Sequence, residues 1–311
     1  MVTQVKTQFA PSQPQSRQLL TTEQLSTLNA RSNRLGIVQL ARHLSVIGLS
    51  GYIWLIAETH TVIRIFALII YGFSLAAMFA PLHESCHRTA FANNRLNDIV
   101  AWWAGVLSFY NSTFYRRYHK WHHRYTQIIG QDPELEDPKP SSLGEYLREI
   151  SGFNWWIGKL KGHYRAATGK LENCPYIATA AREEVVRSTR LQIALYLSAI
   201  ALSTALGQPG LIIYSWLLPL AVGQPFLRFI LLAEHTGCSY DSNSLTNTRT
   251  TLTGLPLRLI MWNMPFHSEH HLYPSIPFHQ LPQAHQHLKA HFVHVELGYL
   301  KVNRDIVAGL Q

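Results

Sequence analysis

The sequence predicts an all-α polytopic membrane protein, with about four transmembrane helices in two hairpins and a histidine-rich helical cap on the cytoplasmic side. Three observations lead to this prediction. Hydrophobic residues make up 47% of the 311 residues and charged residues only 14%, against a usual charged share of about 25%. The apolar residues gather in four long runs, and many of the histidines gather in tight groups.

Each of the four apolar runs is a candidate membrane-spanning helix, since crossing the hydrocarbon takes roughly 20 apolar residues. The first run needs residues 36–39 and the snorkelling side chain of Arg42 to reach that length, and Pro219 and Pro225 predict a kink in the fourth. The alternative is a set of core helices in a soluble protein, but the second run lacks the polar face that such helices need. The runs cover residues 44–57, 65–82, 191–207 and 211–233.

The distribution of positive charge orients these helices. The links within the first and second pairs of runs are short and free of Lys and Arg, so we expect two tight hairpins. The cations lie on the other side, among them Arg116, Lys120 and Lys161, and Lys and Arg concentrate on the cytoplasmic side of membranes. We therefore expect an integral, multi-pass protein with both termini, segment 83–190 and the chain from residue 234 in the cytoplasm.

Composition divides the chain into three parts. Residues 1–35 are predicted to be an N-terminal cytoplasmic segment, partly disordered because its beginning is polar and rich in Gln and Ser. Residues 36–295 form the predicted membrane domain, and residues 296–311 a C-terminal tail. The net charge of +9 suits nucleic acid, an anionic membrane surface or an acidic partner, and the apolar runs favour the membrane over nucleic acid. Three scattered cysteines indicate reducing surroundings.

Three histidine groups share a helical spacing. "HESCH" places two histidines four residues apart, and "YHKWHHRYT" and "MPFHSEHHLYP" each place three at positions i, i+3 and i+4. Such residues share one face of a helix, and neutral imidazole binds Zn, Cu, Fe and Ni. For any one group alone, the alternative is a solvated cationic surface. Three groups on one side of the membrane offer more imidazoles than one metal ion needs, and they suit a pair of metal ions. The candidate ligands are His83 and His87 (the first box), His119, His122 and His123 (the second box), and His267, His270 and His271 (the third box).

His235 is a ninth candidate ligand. It lies just past the fourth apolar run, on the same side as the boxes. Only its position supports His235 as a ligand. The alternative is a histidine at the membrane interface whose ring nitrogens form ordinary hydrogen bonds.

A rival interpretation starts from the first box. "HESCH" fits the H-E-x-x-H pattern of zinc proteases, with Glu84 as the general base. An intramembrane zinc metalloprotease would use the first box but leave the other two unexplained, because a catalytic zinc takes three protein ligands.

The three boxes in this order, interleaved with membrane hairpins, resemble the membrane fatty acid desaturase superfamily over residues 40–290. The resemblance implies a histidine-ligated di-iron centre, two Fe²⁺ ions with O2 as co-substrate, and no catalytic side chain apart from the metal ligands. It implies that all eight box histidines bind iron, and that His235 occupies the place of a further ligand between the second and third boxes. The expected activity is that of a fatty acid (acyl-lipid) desaturase, with a hydroxylase or a carotenoid ketolase as the alternatives.

The expected partners are a lipid acyl chain and a separate electron donor of the ferredoxin or cytochrome b5 type, with no nucleic acid. No haem-binding segment is visible in the sequence, and typical donors are acidic, so the basic stretch from Arg116 to Arg124 is a candidate docking face. Lipid headgroup contact is the alternative for this stretch.

Two further groups of residues carry weaker expectations. Hydrogen-bond acceptors should orient the ligand rings, and the nearest candidates in sequence are Glu84, Asp132, Asn263 and Glu269. A trailing set of histidines is predicted to lie on a solvent-facing helix, because only His287 and His291 have a helical spacing. The full set is His279, His285, His287, His291 and His294.

Overall fold

The computed structural model of the chain describes residues 19–310, so most of the predicted disordered beginning lies outside the described residues. About 65% of the chain is helical and almost none is sheet, which confirms the all-α prediction. The two short strands, β1 (Thr250–Leu252) and β2 (Val295–Leu297), pair in parallel with Thr250 opposite Val295. The helices are α1 (Thr22–Leu28), α2 (Asn33–Leu55), α3 (Thr61–Ala76), α4 (Phe79–Cys86), α5 (Asn94–Ser108), α6 (Ser112–Tyr125), α7 (Leu143–Ile150), α8 (Phe153–Ala167), α9 (Thr179–Ala205), α10 (Leu218–His235), α11 (Leu255–Ile260), α12 (His267–Leu272), α13 (Leu281–Leu288) and α14 (Tyr299–Ala308).

Three helical segments of the described chain are long and apolar enough to cross a membrane. They are Thr61–Cys86, which joins α3 and α4, Thr179–Ala205, which is α9, and Ile213–His235, which adds a π-helical stretch to α10. The first of them contains the second predicted run, and the other two overlap the third and fourth runs to within two residues at one end. The helix of the first run, α2, is also long enough at 23 residues, but Arg34 and Arg42 make its first half more polar.

Two glycines bring α3 and α10 into backbone contact. A Cβ on Gly72 would collide with the carbonyl oxygen of Pro219, and a Cβ on Gly223 would collide with that of Gly72. Glycine is therefore needed at both positions for the helices to pack this closely. Since α3 leads into the first box and α10 ends at His235, this crossing joins two of the segments that carry candidate ligands.

A hydrogen bond between these helices compensates for a proline. Pro219 has no backbone N–H, so the carbonyl of Ser215, four residues earlier, lacks its usual helical donor. The hydroxyl of Tyr71 in α3 donates to that carbonyl oxygen at 2.6 Å. The helix is irregular at this point, where Ile213–Leu217 form a π-helical stretch. This stretch lies at the start of the fourth apolar run, just before Pro219, one of the two prolines that predicted a kink.

Local turns position the second box. Phe109 adopts a left-handed conformation with φ 62° and ends α5. Asn111 then caps α6, because its side chain accepts a hydrogen bond from the backbone N–H of Phe114 at 2.9 Å. The chain thus turns back directly after α5, and α6 carries its histidines towards α4.

The predicted C-terminal tail contains a packed helix. Asn303 in α14 donates to the carbonyl oxygen of Phe229 in α10 at 3.0 Å, and its side-chain oxygen accepts from the hydroxyl of Tyr146 in α7 at the same distance. Val302 and Ile306 are buried beside it. Helix α14 therefore supports α10, which ends at the candidate site.

Candidate metal centre

The structure brings all nine candidate ligands together from four helices. The first box lies in the last turn of α4 and at its C-cap, and the second box in the last two turns of α6. The third box forms most of the short helix α12, and His235 ends α10. All nine side chains are buried or half-buried.

Five of these histidines form one group, which we call the five-histidine group. Each offers a nitrogen, and these nitrogens all lie within 4.8 Å of one another. Nε2 of His123 lies 3.0 Å from Nε2 of His119 and 3.1 Å from Nε2 of His270. The group takes residues from all three boxes, namely His83, His87, His119, His123 and His270.

The remaining histidines form a second group, which we call the four-histidine group. The nitrogens of His122, His235 and His271 lie within 4.8 Å of one another. His267 joins them, because its Nε2 lies 3.2 Å from Nε2 of His235 and its ring centroid lies 4.5 Å from that of His271. The two groups are adjacent, since the rings of His123 and His271 stack with centroids 4.2 Å apart.

The nitrogen atoms of the five-histidine group fit a metal ion. Nε2 of His83 and of His87 is buried without a hydrogen-bond partner, although buried polar atoms are normally paired. Burial holds the pKa of His119, His123 and His270 well below the ordinary value for imidazole, and neighbouring imidazoles lower it further. The rings are therefore neutral, and neutral rings with converging nitrogens have lone pairs free for a cation.

The four-histidine group is held from behind by hydrogen bonds. Nδ1 of His122 donates to Oδ1 of Asp132 at 2.9 Å, and Nδ1 of His235 donates to the backbone carbonyl of Asn247 at 3.0 Å. Nδ1 of His271 donates at 3.2 Å to the hydroxyl of Thr126. Each bond fixes the ring and leaves Nε2 free for a metal.

The carboxylate of Asp132 also sets the charge of this group. Burial acts to lower the pKa of His122, but Glu134 and Asp132 raise it above its ordinary value. Burial likewise acts to raise the pKa of Asp132, but the hydrogen bond from His122 and backbone N–H donors lower it overall. The Asp132–His122 pair therefore makes the imidazole a more basic ligand than its neighbours.

Comparison with known proteins gives the family. The sequence profile of the family described as fatty acid desaturase matches residues 59–302, which include all three boxes and His235. The chain belongs to the fatty acid desaturase family. Its members are oxidoreductases of lipid metabolism in membranes, and this chain shares that enzyme class.

Individual desaturases are similar to the chain at low identity. An sn-1 oleoyl-lipid 12-desaturase of a Picosynechococcus species is 25% identical over 244 residues, which cover 70% of this chain and 67% of that protein. A protein of the same name from a Synechocystis species is 24% identical, over 70% of this chain and 66% of its own length. A Delta(5) fatty acid desaturase of Caenorhabditis elegans is 24% identical, over 64% of this chain and 51% of its own length. The chain thus spans between half and two thirds of these relatives.

The expected orienting acceptors have different outcomes in this chain. The prediction is confirmed for Asp132. Oε1 of Glu84 lies 3.6 Å from Nδ1 of His83, too far for a hydrogen bond. Asn263 contacts no ligand, because its side chain bonds Arg258 and the carbonyl of Phe278.

Two orienting residues were missed at the sequence level. Thr126 is the last residue of "YHKWHHRYT", four residues after His122, and that spacing is a usable signal. Asn247 lies in an irregular loop far from any box, where no sequence pattern marks it.

The prediction of a solvent-facing helix for the trailing histidines is wrong in two respects: His285 is buried, and of the five only His285 and His287 lie in a helix, α13. His285 in α13 is buried, and its Nδ1 donates to Oε1 of Glu269 at 2.5 Å. Oε2 of Glu269 accepts from the hydroxyl of Thr250 at 2.5 Å. The buried face of α13 turns His285 inwards, whereas His287 and His291 are exposed.

The geometry disfavours the zinc protease. A catalytic zinc has three protein ligands and an open position, whereas His83 and His87 belong to a group of five converging imidazoles. The side chain of Glu84 accepts from the hydroxyl of Thr89 at 2.9 Å and from the backbone N–H of Phe278 at 3.3 Å. These hydrogen bonds tie the Glu84 carboxylate to Thr89 and Phe278, which favours a structural role over that of a general base beside a metal-bound water.

A cavity leads to both histidine groups. Its volume is about 670 Å³, within the usual range of about 300–1,000 Å³ for small-molecule sites. At its inner end lie His83 and His119 of the five-histidine group and His122 and His267 of the four-histidine group. Much of the remaining wall is aromatic, and its aromatic residues include Phe79, Tyr110, Phe114, Tyr115, Tyr118 and Trp155.

Proposed function

We propose that the chain is an O2-dependent di-iron oxidoreductase that inserts a double bond into a lipid acyl chain. One observation supports this proposal above the others, namely that nine histidines, seven buried and two half-buried, converge as two adjacent groups that line one cavity. Two groups of imidazoles suit two metal ions, and a redox metal with O2 supplies the oxidation of an unactivated C–H bond that side chains cannot perform.

The two irons would have different ligand sets. His83, His87, His119, His123 and His270 would hold one ion, and His122, His235, His267 and His271 would hold the other. All of these ligands are neutral imidazoles, so the ions keep more positive charge than in carboxylate-ligated helix bundles.

The protein's own contribution to the reaction is to bind and position the acyl chain. Phe79, Tyr115 and Met264 line the inner cavity together with ligands of both groups. An apolar chain in contact with these side chains excludes water from the histidine groups. The same contacts hold one carbon of the chain facing the metal centre.

Elemental analysis and product analysis test the proposed activity. Purified protein should carry about two irons per chain, since nine ligands exceed the need of one ion. Supplied with iron, O2 and an electron donor, it should release lipids with one additional double bond. One zinc and no iron would overturn the proposal, and a hydroxylated or keto product would replace desaturation by the corresponding alternative.

We also propose that α2 is a fourth membrane span, paired with α3 in one hairpin, while α9 and α10 form the other. Exposed apolar side chains cover the second half of α2, and Leu49 and Tyr52 are 67% and 55% exposed. Lipid contact explains this exposure better than water does. The histidine groups, both termini and the linking helices would then form a cytoplasmic cap.

Cysteine labelling tests this topology with little background, because all three native cysteines are buried. Cysteines introduced at Thr59 and Gly210, in the cation-free hairpin links, should react with an impermeant reagent added outside the membrane. A cysteine at Ser141, between the second and third spans, should react only after permeabilisation. External labelling at Ser141 would contradict the proposed orientation.

The proposed electron donor is a separate acidic protein, and the exposed part of α6 supports this. Arg116 and Arg117 are engaged by Asp98 and Glu184 at 2.6 Å and 2.5 Å, while Lys120 and Arg124 are exposed. Exchanging both exposed cations for Gln should slow electron delivery and flatten its dependence on ionic strength. If electron delivery to this double variant at low salt were the same as to wild type, the donor would have to dock on another surface.

A further inference from the structure

Five cations line the candidate substrate cavity, and two of them, Lys159 and Arg228, lie around the same pair of aromatic rings. Nζ of Lys159 lies 3.3 Å from the centroid of the Tyr110 ring, and the guanidinium of Arg228 donates to the Tyr110 hydroxyl at 3.3 Å. Both charged groups lie 6.0 Å from the ring of Trp155. Helices α8 and α10 thus place two positive charges around one pair of aromatic rings on the cavity wall.

Neither cation has a carboxylate partner within residues 19–310. No ion pair there includes Lys159 or Arg228, and Nε of Arg228 is buried without a hydrogen-bond partner. The cavity wall also carries carboxylates, namely Glu134, Glu136, Asp137, Glu149 and Glu234, but within the described chain none of them lies close enough to either cation to form an ion pair. Oε2 of Glu234 lies 3.4 Å from Nε2 of His267, and Glu149 accepts from the side chain of Asn154 at 3.3 Å.

Lys159 and Arg228 are half-buried neighbours of like charge, an arrangement that a bound negative charge would stabilise. Burial holds the pKa of Lys159 well below its ordinary value and the charge of Arg228 lowers it further, while the carboxylate of Glu134 opposes both effects. The aromatic faces of Tyr110 and Trp155 compensate in part through cation–π contacts. A bound anion would satisfy both cations at once and form charge-assisted hydrogen bonds with them.

We propose that Lys159 and Arg228 form a subsite for an anionic group of the substrate, such as the phosphate, sulfate or carboxylate at the polar end of a lipid. This proposal rests on the proposed function, because the acyl chain of the same lipid is taken to reach the histidine groups. It narrows the substrate from lipids in general to anionic lipids.

The position of Arg228 adds a constraint on the product. Arg228 precedes His235 by seven residues in α10, which corresponds to about 10 Å along a helix axis. An anion held by Arg228 is therefore on the order of 10 Å from the four-histidine group. The carbon presented to the metals would lie nearer to the polar end of the lipid than to its methyl end.

The test measures lipid binding separately from turnover. Iron-loaded protein is equilibrated with vesicles of phosphatidylglycerol and an uncharged galactolipid that carry the same acyl chains, and the lipids it retains are quantified by mass spectrometry. Wild type should retain phosphatidylglycerol preferentially. Lys159→Gln and Arg228→Gln should each reduce that preference about tenfold, because each removes a charge-assisted hydrogen bond.

Two variants act as controls. Lys170→Gln removes an exposed lysine that also lies against an aromatic ring, that of Tyr164 at 5.3 Å, but outside the cavity, so lipid preference should stay as in wild type. Lys159→Arg keeps the charge and should restore most of the preference lost in Lys159→Gln.

The outcomes separate this proposal from the proposed function. Equal retention of the two lipids by wild type, or wild-type preference in both Gln variants, would overturn the anion subsite even if the enzyme desaturates lipids. Preferential retention with no oxidation of either lipid in the presence of a donor would overturn the proposed function and leave the subsite supported. A new double bond near the methyl end of the chain would overturn the placement relative to the metals.

Discussion

The two histidine groups are held in place in different ways. In the four-histidine group, Asp132, Asn247 and Thr126 accept hydrogen bonds from the far sides of three rings. In the five-histidine group, Nδ1 of several rings is buried without a hydrogen-bond partner within the described chain, and these rings mainly contact one another. The rings concerned are those of His83, His119, His123 and His270.

This difference indicates a division of roles. Rings fixed by hydrogen bonds keep their orientation without a metal, so the four-histidine group is preorganised. Rings held by packing alone would depend on a bound ion to fix their positions, so metal binding there would contribute more to local order. Removal of metal should therefore loosen α4 and the end of α6 more than it loosens the loop around Asn247.

Loss of one ligand from each group is expected to have the largest effect. His270→Ala and His122→Ala should each abolish turnover, because both metal affinity and geometry suffer when a ligand is lost. Iron content should fall towards one per chain in each variant. Product analysis and elemental analysis check this, and full activity in His122→Ala would mean that the histidine groups are not a metal centre.

His235 is the most informative single ligand of the four-histidine group. We expect His235→Ala to lose activity and iron, because the Nε2 atom of His235 lies 3.2 Å from that of His267 and its ring centroid 5.1 Å from that of His122. The sequence offered only its position after a span in its favour. A variant with wild-type activity and iron content would remove it from the ligand set.

The spacing of the boxes predicts clustering but not the division into two groups. Neighbouring residues of a helix point about 100° apart, so His122 and His123 cannot face the same ion. The structure resolves this conflict by sending His123 to the five-histidine group and His122 to the other. Each His-His pair in a box is thus a local sign of two metals, but the assignment depends on how α4, α6, α10 and α12 pack.

The sequence likewise predicted part of the fold but not all of it. Hydropathy located the second and fourth runs within a few residues of their helical segments but missed the first twelve residues of α9, because only the stretch in contact with lipid has to be apolar. The inward turn of His285 was not predictable, since it depends on α13 packing against α12 rather than on local spacing.

Loss of an orienting carboxylate should have an intermediate effect. Asp132→Asn leaves the size of the side chain unchanged but removes the charge that raises the basicity of His122. We expect iron affinity of the four-histidine group to fall about 10–100-fold. Titration with a chelator should then remove one iron from the variant well before the other.

Thr126→Val provides a milder comparison in the same group. It removes the neutral acceptor for His271 but leaves every charge in place, so the loss of affinity should be smaller than in Asp132→Asn. Release of both irons together in Asp132→Asn, as in wild type, would show that the two groups are not held differently.

The smallest effects are expected behind the third box. Glu269 lies between His267 and His270 in sequence and is fully buried, with His285 and Thr250 as its partners. His285→Ala leaves this carboxylate short of one partner, which should lower the free energy of unfolding by roughly 1–3 kcal/mol and reduce turnover without removing a ligand.

His287→Ala is the matched control on the same helix. Its side chain is exposed and only approaches that of Gln24, at 3.4 Å, so stability should change by less than about 0.5 kcal/mol and activity should be unaffected. Denaturant unfolding of both variants checks the contrast. Helix α12 carries one histidine of the five-histidine group and two of the four-histidine group. If the His285→Ala variant were as stable as wild type, the hydrogen bonds among His285, Glu269 and Thr250 would not be what holds α12 and its histidines in position.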